Sequence, residues 1–382
     1  MKKILTVITF SALLLGGCSA ETMPVPNISP ETTTAAEEHE VIVTKAYTPL
    51  NYDYQQGEWI PYFDYENYLQ GKTEDEFRQA IRKRFTNAKE NGINTVYLHI
   101  HPSGDAYYHS QLYPQGTFWD GEYDPLEIML DEAHKLGLSA HGWLNPLRLQ
   151  YTDEFENIPD SYITKQWFNT PESPNIGEVS GRMYLKPDSP EVITLITDTV
   201  AEIIENYDVD GIHIDDYFYP TVSPDFDSRE FASSGENDLA KWRTDNISRL
   251  VQAIYRTVKS ADERLIFGIS PQGNINADYN SQYADVKRWL AESGFCDYMI
   301  PQLYYGFEHE TLPFQAALEQ WESLPKAEDV RLIIGLGAYK LGKNDAWAGA
   351  SAETEWIDDP DIISKQINAV KKSTASGYAL FY

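Results

Sequence analysis

Along most of the chain, short apolar runs alternate with longer segments whose apolar residues recur every three or four positions. The short runs have the length of buried β-strands, and the longer segments have the periodicity of helices that bury one face. Eight runs are predicted strands: Trp59–Phe63, Asn94–Ile100, Leu138–Leu144, Gly211–Asp215, Leu265–Ser270, Tyr298–Gln302, Leu332–Leu336 and Tyr378–Tyr382.

Several of the helical segments also carry start signals. Thr73 and Glu76 have the spacing of a capping box, and Asp124 and Ser189 each precede a proline at the first helical position. A fourth helix is predicted from about residue 237 to 260. The apolar stripes of the first, third and fourth helices are Phe77, Ile81 and Phe85; Val192, Leu195, Ile196, Val200, Ile203 and Ile204; and Leu250, Val251, Ile254 and Val258.

This alternation predicts an α/β fold. Eight strand–helix units with parallel pairing close most simply into a (β/α)8 TIM barrel. A doubly wound open sheet is the alternative, but no glycine-rich phosphate loop follows an early strand. The long connection after the third strand, from Asn145 to Ser189, exceeds an ordinary loop, and we expect it to form a wall or lid of a cleft. The last strand ends at Tyr382, so the eighth helix is expected to be missing.

The first residues have the features of a targeting segment. Two lysines precede an apolar run, Ile4–Leu15, that is too short to span a membrane. The sequence Leu15-Gly-Gly-Cys18 resembles the lipobox of bacterial lipoproteins, whose cysteine is acylated and becomes the mature N-terminus. An ordinary secretory signal with a chance cysteine is the other interpretation. We expect residues 1–18 to be a lipoprotein signal peptide and the protein to be extracytoplasmic, anchored to the cell membrane by lipid.

Composition bounds the rest of the chain. Residues 19–50 are rich in Thr, Glu and Pro and are predicted to be a disordered linker, which leaves residues 51–382 for the barrel domain. The 59 acidic and 30 basic residues give a net charge of −29, whose field opposes binding of nucleic acid and other anionic polymers. Cys296 is the only other cysteine, so no intrachain disulfide is expected once Cys18 is lipidated. We expect a monomer.

The alternation of side chains along three neighbouring strands predicts which of them enter the barrel. The apolar positions of these strands should face the helices, which leaves an inward set that is polar or aromatic. Polar groups buried in a barrel are costly unless they are paired or used, so the pattern indicates a ligand site at the barrel mouth. The inward set is Tyr97, His99, His101, His141, Trp143, Asn145, His213 and Asp215.

The segment Asp210–Pro220 (DGIHIDDYFYP) ends the fourth strand with two consecutive carboxylates, followed by aromatic residues. Hydrolysis of a glycosidic bond needs one carboxyl group to protonate the leaving oxygen and another to act as nucleophile or base, and crowding raises the pKa of one of them. We expect Asp215 to be the nucleophile or transition-state stabiliser and Asp216 the general acid. Asp105, in the loop after the second strand, is the alternate acid, in which case Asp216 caps a turn. No cofactor or metal is expected.

Other strand ends carry amides, tyrosines and further polar groups, as expected of a surface that binds sugar hydroxyls. The predicted substrate-binding residues are His99, His101, His141, Trp143, Asn145, Arg148, His213, Tyr217, Gln272, Gln302, Tyr304 and Tyr339.

The same segments resemble the glycosyl hydrolase-like 10 family over roughly residues 58 to 382. The resemblance implies a TIM-barrel glycosidase, often a lipoprotein, that acts on bacterial cell-wall glycan, particularly strands stripped of peptides. More distant barrel relatives cut poly-N-acetylglucosamine. The chain departs from the family at His99 and His101, where the family usually has Gln and Arg types. The matching segments are Asn91–Pro102 with Gly104–Ala106, Gly142–Pro146, Asp210–Pro220, Gly268–Gln272 and Asp297–Tyr304.

Two other classes of function stay open. His99, His101, His141 and His213, together with Asp215, could hold a metal ion as in barrel amidohydrolases. Those enzymes carry their His-x-His pair on the first strand, however, and no lysine is positioned here to bridge two metals. A glycan-binding lipoprotein without turnover would keep the aromatic residues but would not need the acids.

Overall fold

The predicted apolar runs form the strands of a parallel barrel in the computed structural model, which describes residues 47–382. The predicted signal peptide, Cys18 and the linker up to residue 46 lie outside the described residues. The strands are β1 (Gln55–Ile60), β2 (Thr95–His101), β3 (Ser139–Leu144), β4 (Arg148–Tyr151), β5 (Ile176–Val179), β6 (Arg182–Leu185), β7 (Gly211–Ile214), β8 (Ile266–Ile269), β9 (Tyr298–Met299), β10 (Arg331–Leu332), β11 (Ile334–Leu336) and β12 (Gly377–Leu380).

Nine of these strands form the barrel sheet, in the order β10-β9-β8-β7-β3-β2-β1-β12-β11. Its two edge strands, β10 and β11, are consecutive pieces of one extended segment separated only by Ile333. The first piece pairs with β9 and the second with β12, and the Ile333 N–H donates to the Met299 carbonyl at 2.9 Å. The segment therefore serves as the seventh strand of the barrel, and the prediction of a TIM barrel is confirmed.

The helices begin where the sequence signals predict. Thr73 and Glu76 form the capping box of α2, Asp124 caps α3, and Ser189 caps α6. The helices are α1 (Tyr65–Tyr68), α2 (Glu74–Glu90), α3 (Pro125–Lys135), α4 (Thr152–Phe155), α5 (Ile163–Asn169), α6 (Pro190–Asn206), α7 (Ser228–Ser234), α8 (Leu239–Ala261), α9 (Ile275–Gln282), α10 (Val286–Ala291), α11 (Phe314–Glu322), α12 (Glu355–Asp358) and α13 (Ile362–Val370). None of the helices in the described part of the chain has the length and apolar character needed to cross a membrane.

The first strand begins four residues earlier than predicted and ends three residues earlier. Its N-terminal half is polar but buried, because Gln55 accepts a hydrogen bond from the Tyr97 hydroxyl at 2.8 Å and Glu58 forms an ion pair with Arg84. Pro61 follows the strand, and a 3-10 turn occupies Tyr62–Asp64. An apolar pattern cannot reveal a strand whose buried polar residues are paired by tertiary contacts.

The barrel interior is aromatic, as strand parity predicts. Tyr97 and Trp143 belong to the inner cluster, whereas their apolar neighbours along the strands belong to the core between sheet and helices. Gly268 makes room for this interior, because a Cβ atom there would lie 1.8 Å from the Tyr298 ring. The inner cluster comprises Trp59, Tyr97, Trp143, Tyr298, Ile300, Ile333 and Ala379.

The long connection after β3 has a fold of its own. It contains a three-stranded antiparallel sheet, in the order β4-β6-β5, together with α4 and α5. The sheet packs against the loop that follows β2, where the Gln150 side chain donates to the Gly104 carbonyl at 2.7 Å. This connection therefore stands on the face of the barrel where β2 and β3 end.

The opposite face is covered by the residues that precede β1. Tyr47 donates to the Asp210 carboxylate at 2.6 Å, and Asn51 donates to the Asp210 carbonyl at 3.1 Å. The last four residues of the predicted linker thus lie on the barrel. Asp210, the first residue of the DGIHIDDYFYP segment, anchors this end of the fold and is separated from the two later carboxylates by the length of β7.

Candidate active site

Two carboxyl groups follow β7 at the C-terminal end of the barrel, Asp215 and Asp216. Asp215 is 6% exposed, and its Oδ1 is buried without a hydrogen-bond partner. Burial raises the pKa of Asp215 well above its ordinary value, the negative charge of Asp216 raises it further, and Arg148 opposes the rise. These conditions favour a protonated Asp215.

Asp216 sits in a different environment. Burial also raises its pKa, but the side-chain amides of Gln302, Gln272 and Gln282 oppose that rise by stabilising the carboxylate. Gln302 donates to Asp216 Oδ1 at 3.3 Å and to the Ser270 carbonyl at 3.1 Å. The amide-bound Asp216 is therefore the more readily ionised member of the pair, which is the reverse of the order expected from the sequence.

Several buried polar atoms beside this pair lack partners. His99 stacks on the Trp143 indole with ring centroids 3.6 Å apart, and neither of its ring nitrogens has a hydrogen bond of good geometry, although the Asn145 side chain acts on its pKa. The indole nitrogen of Trp143 and the side-chain oxygen of Asn145 are likewise buried without a hydrogen bond of good geometry, although the Trp143 side chain acts on the pKa of Asp215. Because unsatisfied buried polar groups are costly, these atoms at the ends of β2 and β3 are candidates for contacts with a polar ligand.

Arg148 and Tyr217 lie beside these groups. The Arg148 guanidinium is 4.6 Å from the centre of the Tyr217 ring, and this ring is 43% exposed. The positive charge of Arg148 lowers the pKa of Asp215 and that of His99. The long connection therefore forms a wall of the site, since Arg148 is the first residue of β4.

Aromatic rings line the other side of the mouth. Tyr304 follows β9 and stacks in parallel on Phe381, with ring centroids 6.1 Å apart, and Tyr339 meets both rings edge-on. The carboxylates of Asp216 and Asp215 both act on the pKa of Tyr304, so this ring lies near the pair. Aromatic faces beside carboxyl groups suit the apolar faces of sugar rings. The sequence predicted Tyr304 and Tyr339 and missed Phe381, which falls within the last predicted strand.

A third buried carboxyl group, Asp278 on α9, was missed. Its Oδ1 accepts the Gln272 N–H at 3.0 Å, and its Oδ2 is buried without a partner. Burial raises the pKa of Asp278 to about 8, and the charge of Asp216 adds to the rise. Asp278 lies four residues after the N-cap Asn274, and only the tertiary path of the loop between β8 and α9 brings it to the site.

Two predicted site residues lie away from the pair. The pairing register between β2 and β3 shifts between His99 and His101, so that His101 pairs with the outward residue Leu144. Its Nδ1 is 2.8 Å from the Asp105 carbonyl oxygen, and its ring packs on Tyr113. His101 therefore stabilises the loop after β2, contrary to the prediction that it enters the barrel.

Asp105 belongs to the same loop. Its Oδ1 accepts the Ser103 N–H at 2.9 Å, and burial raises its pKa to about 6. Among the described residues, no hydrogen bond links Asp105 to Asp215 or Asp216. The contacts of Asp105 are those of a loop-stabilising carboxyl group.

His213 and His141 point into the barrel but lie below the mouth. The Trp59 indole N–H donates to His213 Nε2 at 3.0 Å, so His213 carries its proton on Nδ1 and donates to the Tyr298 oxygen at 3.1 Å. The Tyr298 hydroxyl then donates to His141 Nδ1 at 2.7 Å. Burial lowers the pKa of both histidines, which keeps them neutral. These hydrogen bonds hold both histidines in the barrel interior, and their role in substrate binding stays a prediction.

This arrangement does not fit the amidohydrolase alternative. The nitrogens of His213 and both nitrogens of His141 are occupied by hydrogen bonds, and His99 lies flat on an indole ring. Within residues 47–382, no three His, Cys, Asp or Glu side chains are grouped as a metal ion requires.

A family model described as glycosyl hydrolase-like 10 matches residues 56–357. The chain belongs to the glycosyl hydrolase-like 10 family. This family member is 32% identical to glycosyl hydrolase DigH of Escherichia coli strain K12, with 76% of the chain and 72% of DigH covered. It is 29% identical to glycosyl hydrolase YngK of Bacillus subtilis strain 168, with 79% of the chain and 63% of YngK covered. Family membership confirms the prediction of a glycosidase with a polysaccharide substrate.

Solved structures support the same architecture for this glycosyl hydrolase-like 10 protein. The glycoside hydrolase domain of PgaB (BpsB) from Bordetella bronchiseptica matches with a TM-score of 0.59 and 12% identity, covering 86% of this chain and 94% of that domain. The endo-1,4-beta-mannanase of Rhizomucor miehei matches with a TM-score of 0.52 and 12% identity, covering 86% and 85%. At this identity the likeness concerns the barrel fold.

Proposed function

We propose that this glycosidase hydrolyses bacterial cell-envelope glycan, either the glycan strands of peptidoglycan or a related N-acetylglucosamine polymer, with Asp215 and Asp216 as its two reacting carboxyl groups. The observation that carries the proposal is the pairing of two carboxyl groups in unlike environments with unpartnered polar atoms and aromatic rings at one barrel mouth. A glycosidic bond needs this combination of acid, base and sugar contacts.

The electrostatics of the pair support a division of roles between the two acids. Asp215 holds its proton near neutral pH and donates it to the leaving glycosidic oxygen, because burial and the neighbouring charge disfavour its ionised form. Asp216 stays ionised because glutamine side-chain amides stabilise its carboxylate. It acts as the nucleophile, or as a base toward water, beside the sugar carbon on which positive charge develops. We infer that His99 and Asn145 bind polar groups of the sugar, because atoms of both side chains lack hydrogen bonds of good geometry.

We also propose that the enzyme works outside the cytoplasm as a monomer, held to the membrane by a lipid on Cys18. The lipobox-like sequence Leu15-Gly-Gly-Cys18 and the polar linker that follows support this arrangement. A tethered barrel would meet envelope glycan directly.

The proposal is tested by incubating the purified enzyme with peptidoglycan, with and without its peptides, and with an N-acetylglucosamine polymer, and by analysing released saccharides by mass. Asp215→Asn and Asp216→Asn keep the side-chain shape, and each should lower turnover by about a thousandfold or more. Asp105→Asn is the matched control and should keep most of the activity. Binding without release by the wild-type enzyme would indicate a glycan-binding protein.

The roles of the two acids can be separated with the same variants. Asp215→Asn should be rescued in part by substrates whose leaving group needs no proton, whereas Asp216→Asn should not be. The reverse result would restore Asp216 as the acid. An inactive Asp105→Asn variant that remains folded would move the acid to the loop after β2.

A further inference from the structure

The loop between β11 and α12 exposes a tryptophan to water. Trp347 is 88% exposed, the highest fraction of any large apolar side chain within residues 47–382. Single exposed apolar residues are common on protein surfaces, so the exposure alone indicates no function. Two further observations, the order of this loop and its connection to the barrel mouth, give the exposed ring a meaning.

The backbone on both sides of this ring is fixed by hydrogen bonds. Asp345 is buried, and its N–H donates to the Glu353 carbonyl at 2.8 Å. Ala348 is also buried, and its N–H donates to the Asp345 carbonyl at 2.9 Å. The Ala348 carbonyl in turn accepts the Glu310 N–H at 2.8 Å. Because the ring is carried by an ordered backbone, a ligand that binds it does not have to order the loop.

The same loop is tied to the mouth of the barrel. The Lys340 ammonium donates to the Asp345 carboxylate at 2.7 Å and to the Tyr304 carbonyl at 2.7 Å. The charge of Asp345 contributes to the raised pKa of Tyr339, so this carboxylate lies near that ring. Trp347 therefore belongs to the side of the mouth that Tyr304 and Tyr339 line, and it is more exposed than either of them.

Aromatic rings on this side reach from the acid pair to the surface. Tyr304 lies near both carboxyl groups and stacks on Phe381. The Phe381 ring meets Phe63 edge-on, with ring centroids 6.4 Å apart, and Phe63 is 47% exposed. Each such ring can cover the apolar face of one sugar. The arrangement suits a substrate that leaves the mouth and continues over several sugars along this side.

We propose that Trp347 stacks on a sugar ring of the polysaccharide at a position remote from the cleaved bond. The inference rests on the proposed function for the identity of the glycan, and it adds a binding site outside the reacting centre. An indole offers a large, flat apolar face, and the exposed Lys343 and Asn344 of the same loop supply donors for sugar hydroxyls. The enzyme then prefers long strands, because only a long strand contacts the acids and Trp347 together.

The test measures kcat/KM on a tetrasaccharide and an octasaccharide from peptide-free peptidoglycan, and on N-acetylglucosamine oligomers of the same two lengths. Trp347→Ala should lower kcat/KM on the octasaccharide by roughly three- to tenfold, the range of one aromatic contact. The tetrasaccharide should stay within about twofold, because it is too short to contact both places. Trp347→Phe keeps an aromatic face and should retain part of the preference for length.

The matched control is Tyr54→Ala. Tyr54 is 37% exposed and directly precedes β1, so it lies at the end of the barrel opposite the mouth. Its loss removes an exposed aromatic ring without touching the side of the mouth that carries Trp347. The preference for the octasaccharide should survive in this variant.

A second readout does not need turnover. Asp216→Asn enzyme is titrated with the octasaccharide while its tryptophan fluorescence is recorded. The emission should shift to shorter wavelength, because the sugar displaces water from the exposed indole. The shift should be smaller with the tetrasaccharide, and the part that comes from Trp347 should be absent from the Asp216→Asn, Trp347→Phe double variant.

An equal loss of kcat/KM on both lengths in Trp347→Ala, or no loss on either, would overturn the inference. A wild-type dimer that Trp347→Ala converts to a monomer, with no fluorescence response to the octasaccharide, would assign the ring to self-association instead. If the wild-type enzyme cleaves none of these saccharides, nor isolated peptidoglycan, the proposed function itself fails. The fluorescence titration then still decides whether Trp347 binds the glycan.

Discussion

Replacing Asp278 with asparagine should stabilise the folded enzyme at neutral pH. The buried Asp278 has a folded-state pKa of about 8, whereas its ordinary value is 3.8. Between these values the folded state keeps a proton that the unfolded state has lost, so stability falls as pH rises. Asparagine cannot ionise, and its oxygen can still accept the Gln272 N–H that Asp278 accepts now.

The size of the effect follows from the same two values. Over the roughly three pH units between the ordinary pKa and pH 7, at about 1.4 kcal/mol per unit, aspartate costs about 4 kcal/mol relative to asparagine. The cost levels off above pH 8 and nearly vanishes at pH 4. For a barrel of this length, about 4 kcal/mol raises the unfolding temperature by about 6 °C.

The assay is thermal unfolding of wild-type and Asp278→Asn enzyme at pH 4, 7 and 9. Asp53→Asn removes the same charge from a fully exposed side chain and should shift the unfolding temperature by no more than about a degree. A difference in unfolding temperature between the two proteins that is equal at pH 4 and pH 7 would refute the reasoning. So would an Asp278→Asn variant that is less stable than wild type at pH 7.

Further predictions concern other parts of the molecule. Gln302→Leu removes a donor to the Asp216 carboxylate and should raise the pKa of Asp216, which moves the acidic limb of the kcat/KM profile to higher pH. An unmoved acidic limb would contradict the stabilisation of Asp216 by this amide. His141→Asn should lower the unfolding temperature, because it breaks the hydrogen bond from Tyr298, yet leave KM within about twofold. A larger change in KM would return His141 to the substrate site. Cys18→Ala should move the protein from the membrane fraction to the medium, and continued sedimentation with membranes would place the anchor elsewhere. Activity should survive EDTA, and a loss that zinc restores would revive the metal-dependent alternative.

The barrel was predictable because each of its strands is recognised from a short local pattern of apolar residues. Apolar runs such as Gly211–Asp215 give both the strand and the side of the barrel that each residue faces, and caps such as Thr73 give the helix starts. The exception is β1, whose buried Gln55 and Glu58 contact Tyr97 and Arg84, which lie outside the strand.

The site was predictable only in part. The alternation of side chains along a strand shows which residues face the barrel interior, but not how far below the mouth each one lies. His141 and His213 face inward as predicted, but their hydrogen bonds place them in the barrel interior below the mouth. A register shift in β2 redirects His101, and no periodic pattern announces such a shift. Asp278 is on a helix, and the sequence contains no signal that its loop returns to Asp216.

The separate sheet of the long connection has a consequence for how such enzymes diversify. The pairings among β4, β5 and β6 are antiparallel and close within about 40 residues, whereas the two proposed reacting acids follow β7 in the barrel. The wall of the site and the two proposed reacting acids are thereby encoded in separable stretches of the gene. Exchanging residues 148–185 between homologous barrels would transplant this wall of the site and leave the acid pair and the barrel interior unchanged.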